Sequence, residues 1–278
     1  MRLSRAANRF NDMLAADAYA PTTTTFPVQF EALSFSKIDG VAIKKRQISI
    51  APDIVIPNRG AITIDGQVYL VGHTAPDYWK GRMIRQTVII QGADGLAVVS
   101  SITEALGNSP GVSAYAASAF SKYNTDMRES SAYHPEYQLF FAGSENVGEG
   151  TLVSLNSDWF LVKEAYHSTS GLLVGLADKL PGTVFETVTV NSNTYDPVLD
   201  AYTTSAASAK VMRVRWKESF EYLAPAQEDY VRGDETVFVL QSAFDAKPSD
   251  TLALSDGDWR VISVADQGAV LALHTRRD

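Results

Sequence analysis

The chain contains no cysteine, and nowhere does it run to the ~20 consecutive apolar residues that a membrane-spanning helix requires. The first absence excludes disulfide bonds, thiolate metal sites and cysteine nucleophiles. The second predicts that the chain has no transmembrane helix. Arginines stand near the N-terminus without an apolar segment behind them, so we expect no signal peptide and a protein made in a cytoplasm.

Cations are scarce relative to acids. The 278 residues include 24 Lys+Arg and 32 Asp+Glu, which gives a net charge of −8 at pH 7. Because strong nucleic-acid binders neutralise phosphates with clustered cations, this balance argues against tight DNA binding. It still permits duplex DNA to pass the protein without being held. An apolar fraction of 45% with 12 Tyr, 12 Phe and 4 Trp is typical of a folded protein of about two domains.

Motifs of catalysis are missing as well. The sequence has no G-x-S-x-G nucleophile elbow, no phosphate-binding P-loop and no H-E-x-x-H pair. None of the four histidines has a partner at the i, i+4 spacing of a helical metal site; they are His73, His134, His167 and His274. We therefore expect no enzyme, no catalytic residue, no cofactor and no bound metal.

Two segments stand out as candidate interfaces. Residues 2–17 have apolar side chains at helical spacing and are interpreted either as a solvated helix or as a docking arm for an acidic partner. The cluster at 133–137 is interpreted either as an interface patch or as a packed, hydrogen-bonded corner. The candidate interface residues are Arg2, Arg5, Arg9, Phe10, Met13, Tyr133, His134 and Tyr137.

One pattern occurs three times along the chain and is the most informative feature. Each copy places apolar or aromatic residues at positions 0, +2, +7 and +9, starting at Ile62, Val153 and Leu252. The copies begin 91 and 99 residues apart. In each, the residues between the apolar pairs include turn formers: Asp65-Gly66, Asn156-Ser157 or Asp256-Gly257. The pattern predicts three β-hairpins whose apolar and aromatic residues face a core.

A second turn signal and a further apolar run follow each hairpin, so that each copy predicts a three-stranded meander. The second turns are Lys80-Gly81, Ser170-Gly171 and Gln267-Gly268. Between the first two copies, residues 102–123 are rich in small residues of good helix propensity and predict one or two bridging helices.

The predicted fold class is mainly β, with small antiparallel barrel or sandwich units, an N-terminal helix and short bridging helices. The expected domains are a helical arm and linker at 1–25, a first β unit at 26–100, short helices plus a second β unit at 101–182, and a last β domain at 183–278.

The last domain resembles the head-closure, or stopper, proteins of tailed bacteriophages. The residues that carry this resemblance are Asn193-Thr-Tyr-Asp-Pro, Pro248-Ser-Asp-Thr-Leu and Asp256-Gly-Asp-Trp-Arg-Val-Ile-Ser-Val. The stretch that begins Arg59-Gly-Ala-Ile-Thr-Ile is similar to a hairpin of head–tail joining proteins. The chain is longer than single-domain members of these families, which leaves open the layer of the neck to which it belongs.

The resemblance implies a small closed or half-closed β-barrel whose copies form a six- or twelve-fold ring in the virion neck, assembled in the host cytoplasm. Implied partners are the portal or an adaptor protein, tail proteins, and double-stranded DNA that passes through the lumen without sequence-specific binding. An acidic lumen would let DNA pass without sticking. Two alternatives stay open: another tail-terminator, baseplate or decoration protein, and a carbohydrate-binding β-module. Buried aromatic residues in the hairpins would argue against the last.

Overall fold

The computed structural model describes residues 16–19, 25–30, 34–38, 41–56, 60–107, 109, 111–120, 137–198, 200–215 and 233–278. These residues form antiparallel β structure with very little helix, which confirms the mainly β fold class. They belong to two compact units. Unit 1 comprises Met1–Val99 and Val112–Lys179, and unit 2 comprises Ser100–Gly111 and Leu180–Asp278.

Unit 1 begins with a curled sheet, here called the first sheet. Its strands are β1 (Ala16–Tyr19), β2 (Thr25–Phe30), β3 (Ser34–Ile38), β4 (Val41–Ile50), β5 (Ala61–Ile64), β6 (Gln67–Trp79) and β7 (Arg82–Gly92). They lie in the order β2-β1-β5-β6-β7-β4-β3. The sheet curls back on itself because β2 pairs with β1 along one half and with β4 along the other.

The rest of unit 1 is a closed six-stranded barrel, here called the middle barrel. Its strands are β8 (Gly95–Ser101), β9 (Val112–Phe120), β10 (Tyr137–Phe141), β11 (Thr151–Leu155), β12 (Asp158–His167) and β13 (Leu173–Leu180). Around the barrel they follow the order β8-β9-β10-β13-β12-β11.

Unit 2 is a second closed barrel, here called the last barrel, with one short helix. The strands are β14 (Val184–Asp196), β15 (Ala201–Arg215), β16 (Glu235–Leu240), β17 (Thr251–Leu254), β18 (Gly257–Asp266) and β19 (Val270–Arg277). Their order is β14-β15-β16-β19-β18-β17. Helix α1 (Ile102–Leu106) contacts β15 and β16. A capping box starts it: the Ser101 hydroxyl accepts from the Glu104 N–H at 3.1 Å, and the Ser101 N–H donates to the Glu104 carboxylate at 2.7 Å.

All three β units share one strand order. If the six strands of a barrel are numbered along the chain, both barrels have the circular order 1-2-3-6-5-4. The first sheet has the same order when β3 is set aside, since its pairings run β1–β2–β4–β7–β6–β5–β1. The chain is therefore three tandem versions of one β topology, and the first carries an additional strand between its second and third positions.

The connection from the third to the fourth strand is also alike in the three units. It spans residues 51–60, 142–150 and 241–250, and must pass two intervening strands. In each case it contributes a buried apolar side chain to the core of its own unit, namely Ile56, Val147 and Ala246. These side chains cover one end of each core with apolar surface.

The three predicted hairpins are confirmed, and their register is the same. Ile62 pairs with Tyr69, Val153 with Phe160, and Leu252 with Trp259. Each pair therefore joins position 0 of the pattern to position +7. All twelve pattern residues are buried in their own unit's core: Ile62, Ile64, Tyr69, Val71, Val153, Leu155, Phe160, Val162, Leu252, Leu254, Trp259 and Val261.

The hairpin turns use the predicted residues in two of the three copies. Asp65 and Gly66 have φ of 49° and 76°, and Asn156 and Ser157 have φ of 51° and 68°. Two consecutive positive φ values define the two-residue turn whose twist matches that of the flanking strands. In the third copy the turn residues are Ser255 and Asp256, and positive φ occurs instead at Gly257, at 133°.

A glycine lets the first sheet approach the middle barrel closely. A Cβ atom added at Gly72 would lie 2.2 Å from the Ser170 carbonyl oxygen. That carbonyl belongs to the predicted turn after β12, where Gly171 has φ of 82°. Beside it, Leu70 of β6 packs in an apolar cluster with residues of the middle barrel: Ala117, Phe140, Leu172 and Val174.

Two helix predictions fare differently. The bridging-helix prediction is right for Ile102–Leu106 and wrong beyond it, because residues 112–120 form β9. Helix propensity is a weak preference, and here β9 gains two neighbours, β8 and β10, whose pairing buries Ala114, Ala116 and Ala117. Of the predicted N-terminal helix, residues 2–15 lie outside the described residues, while the last two, Ala16 and Asp17, begin β1.

Truncation of the buried aromatic residues tests the hairpin cores. Tyr69→Ala and Trp259→Ala should each lower the free energy of unfolding by about 3–5 kcal/mol, the usual cost of a large-to-small change at a buried ring. Denaturant unfolding measures this loss. The matched control is Trp79→Ala, because Trp79 is 56% exposed and its loss should change stability by less than ~0.5 kcal/mol. Equal losses in all three variants would contradict the assigned register.

The close approach at Gly72 predicts a second result. Gly72→Ala should destabilise unit 1 by about 1–3 kcal/mol or more, since the new methyl group must displace the backbone of Ser170. Gly148→Ala is the control, because a Cβ there meets no atom within 4 Å. Chemical unfolding followed by tryptophan fluorescence measures both, and a neutral Gly72→Ala would show that the two β surfaces are not in fixed contact.

Candidate functional site: polar clusters and projecting hairpins

A buried arginine lies at one end of the last barrel. Arg213 of β15 is paired with Val237 and lies two residues beyond Val211; both valines belong to the barrel core, so Arg213 faces the interior. Its side chain is only 8% exposed. The guanidinium group also lies over the Trp259 ring, 5.1 Å from its centroid.

Three carboxylates surround this guanidinium group. Arg213 donates from Nε to Glu235 at 2.8 Å, and from its terminal nitrogens to Glu186 at 2.9 Å and Asp256 at 3.0–3.2 Å. Asp256 also accepts a hydrogen bond of 3.0 Å from the Trp259 indole N–H. The cluster thus joins β14, β15, β16 and the turn between β17 and β18, and it closes this end of the barrel with polar contacts.

The electrostatics of the cluster favour the charged forms. Burial disfavours the guanidinium cation of Arg213, but the hydrogen bonds to Asp256, Glu186 and Glu235 outweigh it and raise the pKa above its ordinary value. The hydrogen bond from Arg213 holds the pKa of Asp256 below its ordinary value. A guanidinium group that stays charged and is saturated with carboxylates has no proton to exchange with a substrate. The cluster is therefore a structural closure.

A second buried cluster, also in the last barrel, is equally unsuited to catalysis. Asp234 accepts hydrogen bonds from Arg276 at 2.9 and 3.0 Å and lies 2.7 Å from His274 Nε2. A histidine–carboxylate pair is common in active sites. Here the side chains of His274 and Asp234 are 0% and 2% exposed, so no substrate reaches them. The pair ties β19 to the residue that precedes β16.

Lys163 of β12 is half-buried, and its pKa is lowered. Burial lowers the pKa of its amine to about 7, and nearby Glu149 opposes the shift. Because an unfolded lysine has a pKa near ~10.4, the unfolded chain binds more protons between about pH 7 and 10, and this group favours the folded state increasingly as the pH rises through that window. One such amine defines neither a substrate nor a reaction.

Two neighbouring aromatic side chains are exposed on a projecting hairpin of unit 1, here called the cationic hairpin (residues 77–85). β6 and β7 continue to pair up to Trp79 and Arg82, well beyond the last β4 and β5 pairings of the sheet. Tyr78 and Trp79 are 62% and 56% exposed, and Met83 is also exposed. The segment contains three cations, Lys80, Arg82 and Arg85, and a single acid, Asp77. Asp77 pairs with Arg85 at 2.6 Å.

Unit 2 carries a projecting hairpin of opposite charge, here called the anionic hairpin (residues 192–205). β14 and β15 pair from Val184↔Arg213 to Asp196↔Ala201, whereas β14 meets β17 only over residues 189–191 in the described structure. The segment contains Asp196 and Asp200 and neither lysine nor arginine. At its tip Val198 is 89% exposed.

Only one of the interface candidates from the sequence falls within the described residues. Tyr137 begins β10 and packs on the core of the middle barrel, with its ring 5.2 Å from that of Phe160 in an edge-to-face arrangement. The other seven lie outside the described residues: Arg2, Arg5, Arg9, Phe10, Met13, Tyr133 and His134. Their assignment to an interface stays a prediction.

Sequence reasoning missed the Arg213 cluster and both projecting hairpins. The cluster assembles residues as far apart as 186 and 256, and no local spacing signals it. A signal for the cationic hairpin was present, since Tyr78-Trp-Lys-Gly-Arg82 combines a turn with two aromatic residues and two cations. The resemblance did single out residues 193–197, which lie in the anionic hairpin.

Comparisons with known proteins add no family. No family model, no curated protein and no solved structure matches the chain. Within the described ranges, no three His, Asp or Glu side chains come together in a way that could hold a metal ion. The same ranges contain no helix with the length and hydropathy to span a bilayer.

The ion pair of Asp256 predicts a pH effect. The pKa of Asp256 is lower in the folded state than its unfolded value of ~3.9, so the pair's stabilisation is complete above that value and is lost as the pH falls through the folded pKa. Asp256→Asn should be less stable than the natural chain at pH 6, and this difference should shrink below about pH 4. Urea unfolding at several pH values measures it. Val261→Ala, in the same β17–β18 hairpin, should show a pH-independent deficit; a similarly constant deficit for Asp256→Asn would contradict the pairing.

Proposed function

We propose that the protein is a non-enzymatic structural subunit of a tailed-phage neck, whose copies form a ring that joins head to tail and extends or closes the DNA channel. The observation that carries this proposal is the closed antiparallel barrel at residues 184–277. The resemblance of residues 183–278 to head-closure proteins implied such a barrel, and the same strand order recurs in the two preceding units.

The polar clusters support a structural role. Buried charges in the last barrel are directed at one another: Arg213 at three carboxylates, and Asp234 at Arg276 and His274. Charges matched in this way hold strands together. The projecting hairpins, in contrast, place aromatic, apolar and charged residues where another protein can reach them, as a subunit of an assembly requires.

The net charge supports passage of DNA rather than its capture. With −8 per chain, a ring of copies carries a large negative charge in total. Duplex DNA is repelled by such a surface and does not gain the counterion release that drives binding. A ring of this kind leaves DNA free to slide.

The carbohydrate-binding alternative loses its main support. The three hairpin aromatics that could have formed a sugar platform, Tyr69, Phe160 and Trp259, are 3–4% exposed. Tyr78 and Trp79 are exposed but adjacent in one strand, so their rings project to opposite faces and offer no common plane. A different virion protein of the tail terminator, baseplate or decoration class remains the alternative to a neck subunit.

The oligomeric state of the purified full chain tests the proposal. Native mass spectrometry should give one closed oligomer, and negative-stain microscopy should show rings with an opening that admits duplex DNA. In a mobility-shift assay at physiological salt, the rings should not retain duplex DNA. A chain that stays monomeric at all concentrations, or that binds glycans on an array as a monomer, overturns the proposal. Solid discs without an opening would favour the other virion classes.

A further inference from the structure

The connection between β8 and β9 belongs to a different unit from the two strands that it joins. Val99 of β8 pairs with Val112 of β9 in the middle barrel, and both residues belong to unit 1. The segment between them, Ser100–Gly111, belongs to unit 2, and helix α1 within it contacts β15 and β16 of the last barrel. The chain therefore crosses between the units after Val99, after Gly111 and after Lys179. The first two crossings are the two ends of the α1 segment.

The C-terminal end of α1 is attached to the outer face of the last barrel. Lys210 Nζ of β15 donates a hydrogen bond of 2.7 Å to the Ala105 carbonyl, which lies in the last turn of the helix, where carbonyls lack intrahelical partners. Because Ala209 and Val211 on either side belong to the barrel core, Lys210 points outward. The residue after Ala105 is Leu106, and it is only 2% exposed.

An apolar pair lies on this same outer face. Met212 follows Lys210 by two residues and pairs with Phe238 of β16, whereas the neighbouring pair, Val211 and Val239, faces the core. Although they point away from the core, Met212 and Phe238 are 0% and 1% exposed. They belong to the two strands that α1 contacts, so docking of the helix places its buried leucine on the face where apolar cover is needed.

The helix is too short to be stable without this support. It has five residues, Ile102–Leu106, and isolated helices shorter than ~12–15 residues are marginal in water. The capping box of Ser101 and Glu104 favours the first turn, but both partners belong to the segment itself. Helix formation and docking are therefore coupled.

We propose that the α1 segment is a strap: docked on β15 and β16, it limits the movement of unit 2 relative to unit 1, and it is helical only while docked. Units joined by a single connection move relative to each other by default. The strap adds two further connections, and it restrains the units only while Leu106 and Lys210 hold it. The device needs neither a ring nor a ligand, so it stands or fails independently of the proposed neck function.

Hydrogen exchange tests the coupling of helix to docking. Leu106→Ala with Lys210→Met removes the buried side chain and the donor, and should speed exchange in residues 100–111 at least ~10-fold. The protected amides there include Gly107 and Ser109, which donate to the Thr103 and Glu104 carbonyls. Peptides of β18 and β19 should keep their protection, which shows that the barrel remains folded. The matched control, Thr103→Ala with Lys247→Met, changes one exposed residue of α1 and one exposed lysine of unit 2, and should leave exchange unchanged.

The distance between the units tests the restraint itself. The chain has no cysteine, so Glu164→Cys and Ser242→Cys place one spin label on an exposed residue of each unit. Pulsed electron–electron resonance should give a narrow distance distribution in this background. Leu106→Ala with Lys210→Met should widen it about twofold or more, because the two added connections no longer hold unit 2 in place. The control pair should keep the narrow distribution. If the double variant does not fold, Lys210→Met alone should produce the same changes to a smaller extent.

Each outcome decides the proposal. Rapid exchange of residues 100–111 in the natural chain, or a broad distribution before any strap substitution, overturns it. So does faster exchange in the double variant without a wider distribution, since the helix would then be docked without restraining the units. A control pair that widens the distribution also overturns it, because the effect would not come from docking. Narrow distributions restored to the natural width by Lys210→Arg, which keeps a donor at this position, support it.

Discussion

The register of the three buried hairpins is the constraint on which the structure depends. In each unit an apolar residue is held opposite an aromatic ring seven positions later, and the two-residue turn between them sets that distance. Because side chains alternate along a strand, a slip of one residue would move every core side chain of the hairpin to the outer face. Turn chemistry at Asp65-Gly66 and Asn156-Ser157 is thus coupled directly to core formation.

The last barrel is closed by two different means. On one side, the connection from the third to the fourth strand contributes an apolar side chain to the core, in all three units. At the end of the last barrel where Arg213 lies, closure is ionic and consists of one cation with three carboxylates. An ionic closure demands more accurate placement than an apolar one, since an unmatched buried charge costs far more than an imperfect apolar contact. At that end, the last barrel therefore tolerates little displacement of the Arg213 cluster.

Periodicity and turn chemistry sufficed to predict the hairpins, because both act within ten residues. Helix propensity failed for residues 112–120, which lie in a strand. The preference of Ala for a helix is overcome there by pairing with β8 and β10, which no local pattern reveals. The Arg213 cluster was beyond prediction for a related reason, as its members come from four strands or turns. The sequence indicated the strands and turns of the projecting hairpins. It did not show how far they extend beyond the sheet, because that depends on where the neighbouring strands stop pairing.

The three hairpins differ in one respect that bears on folding: their buried rings are Tyr69, Phe160 and Trp259. A chain with three versions of one topology runs the risk that a segment of one version docks in the body of another, a characteristic error of repeat proteins. Tyrosine, phenylalanine and tryptophan differ in volume and in polar atoms, so a misplaced hairpin leaves either a void or a clash. A misplaced β17–β18 hairpin would also separate Asp256 from Arg213 of β15. The different sizes of the three buried rings thereby favour docking of each hairpin in its own unit.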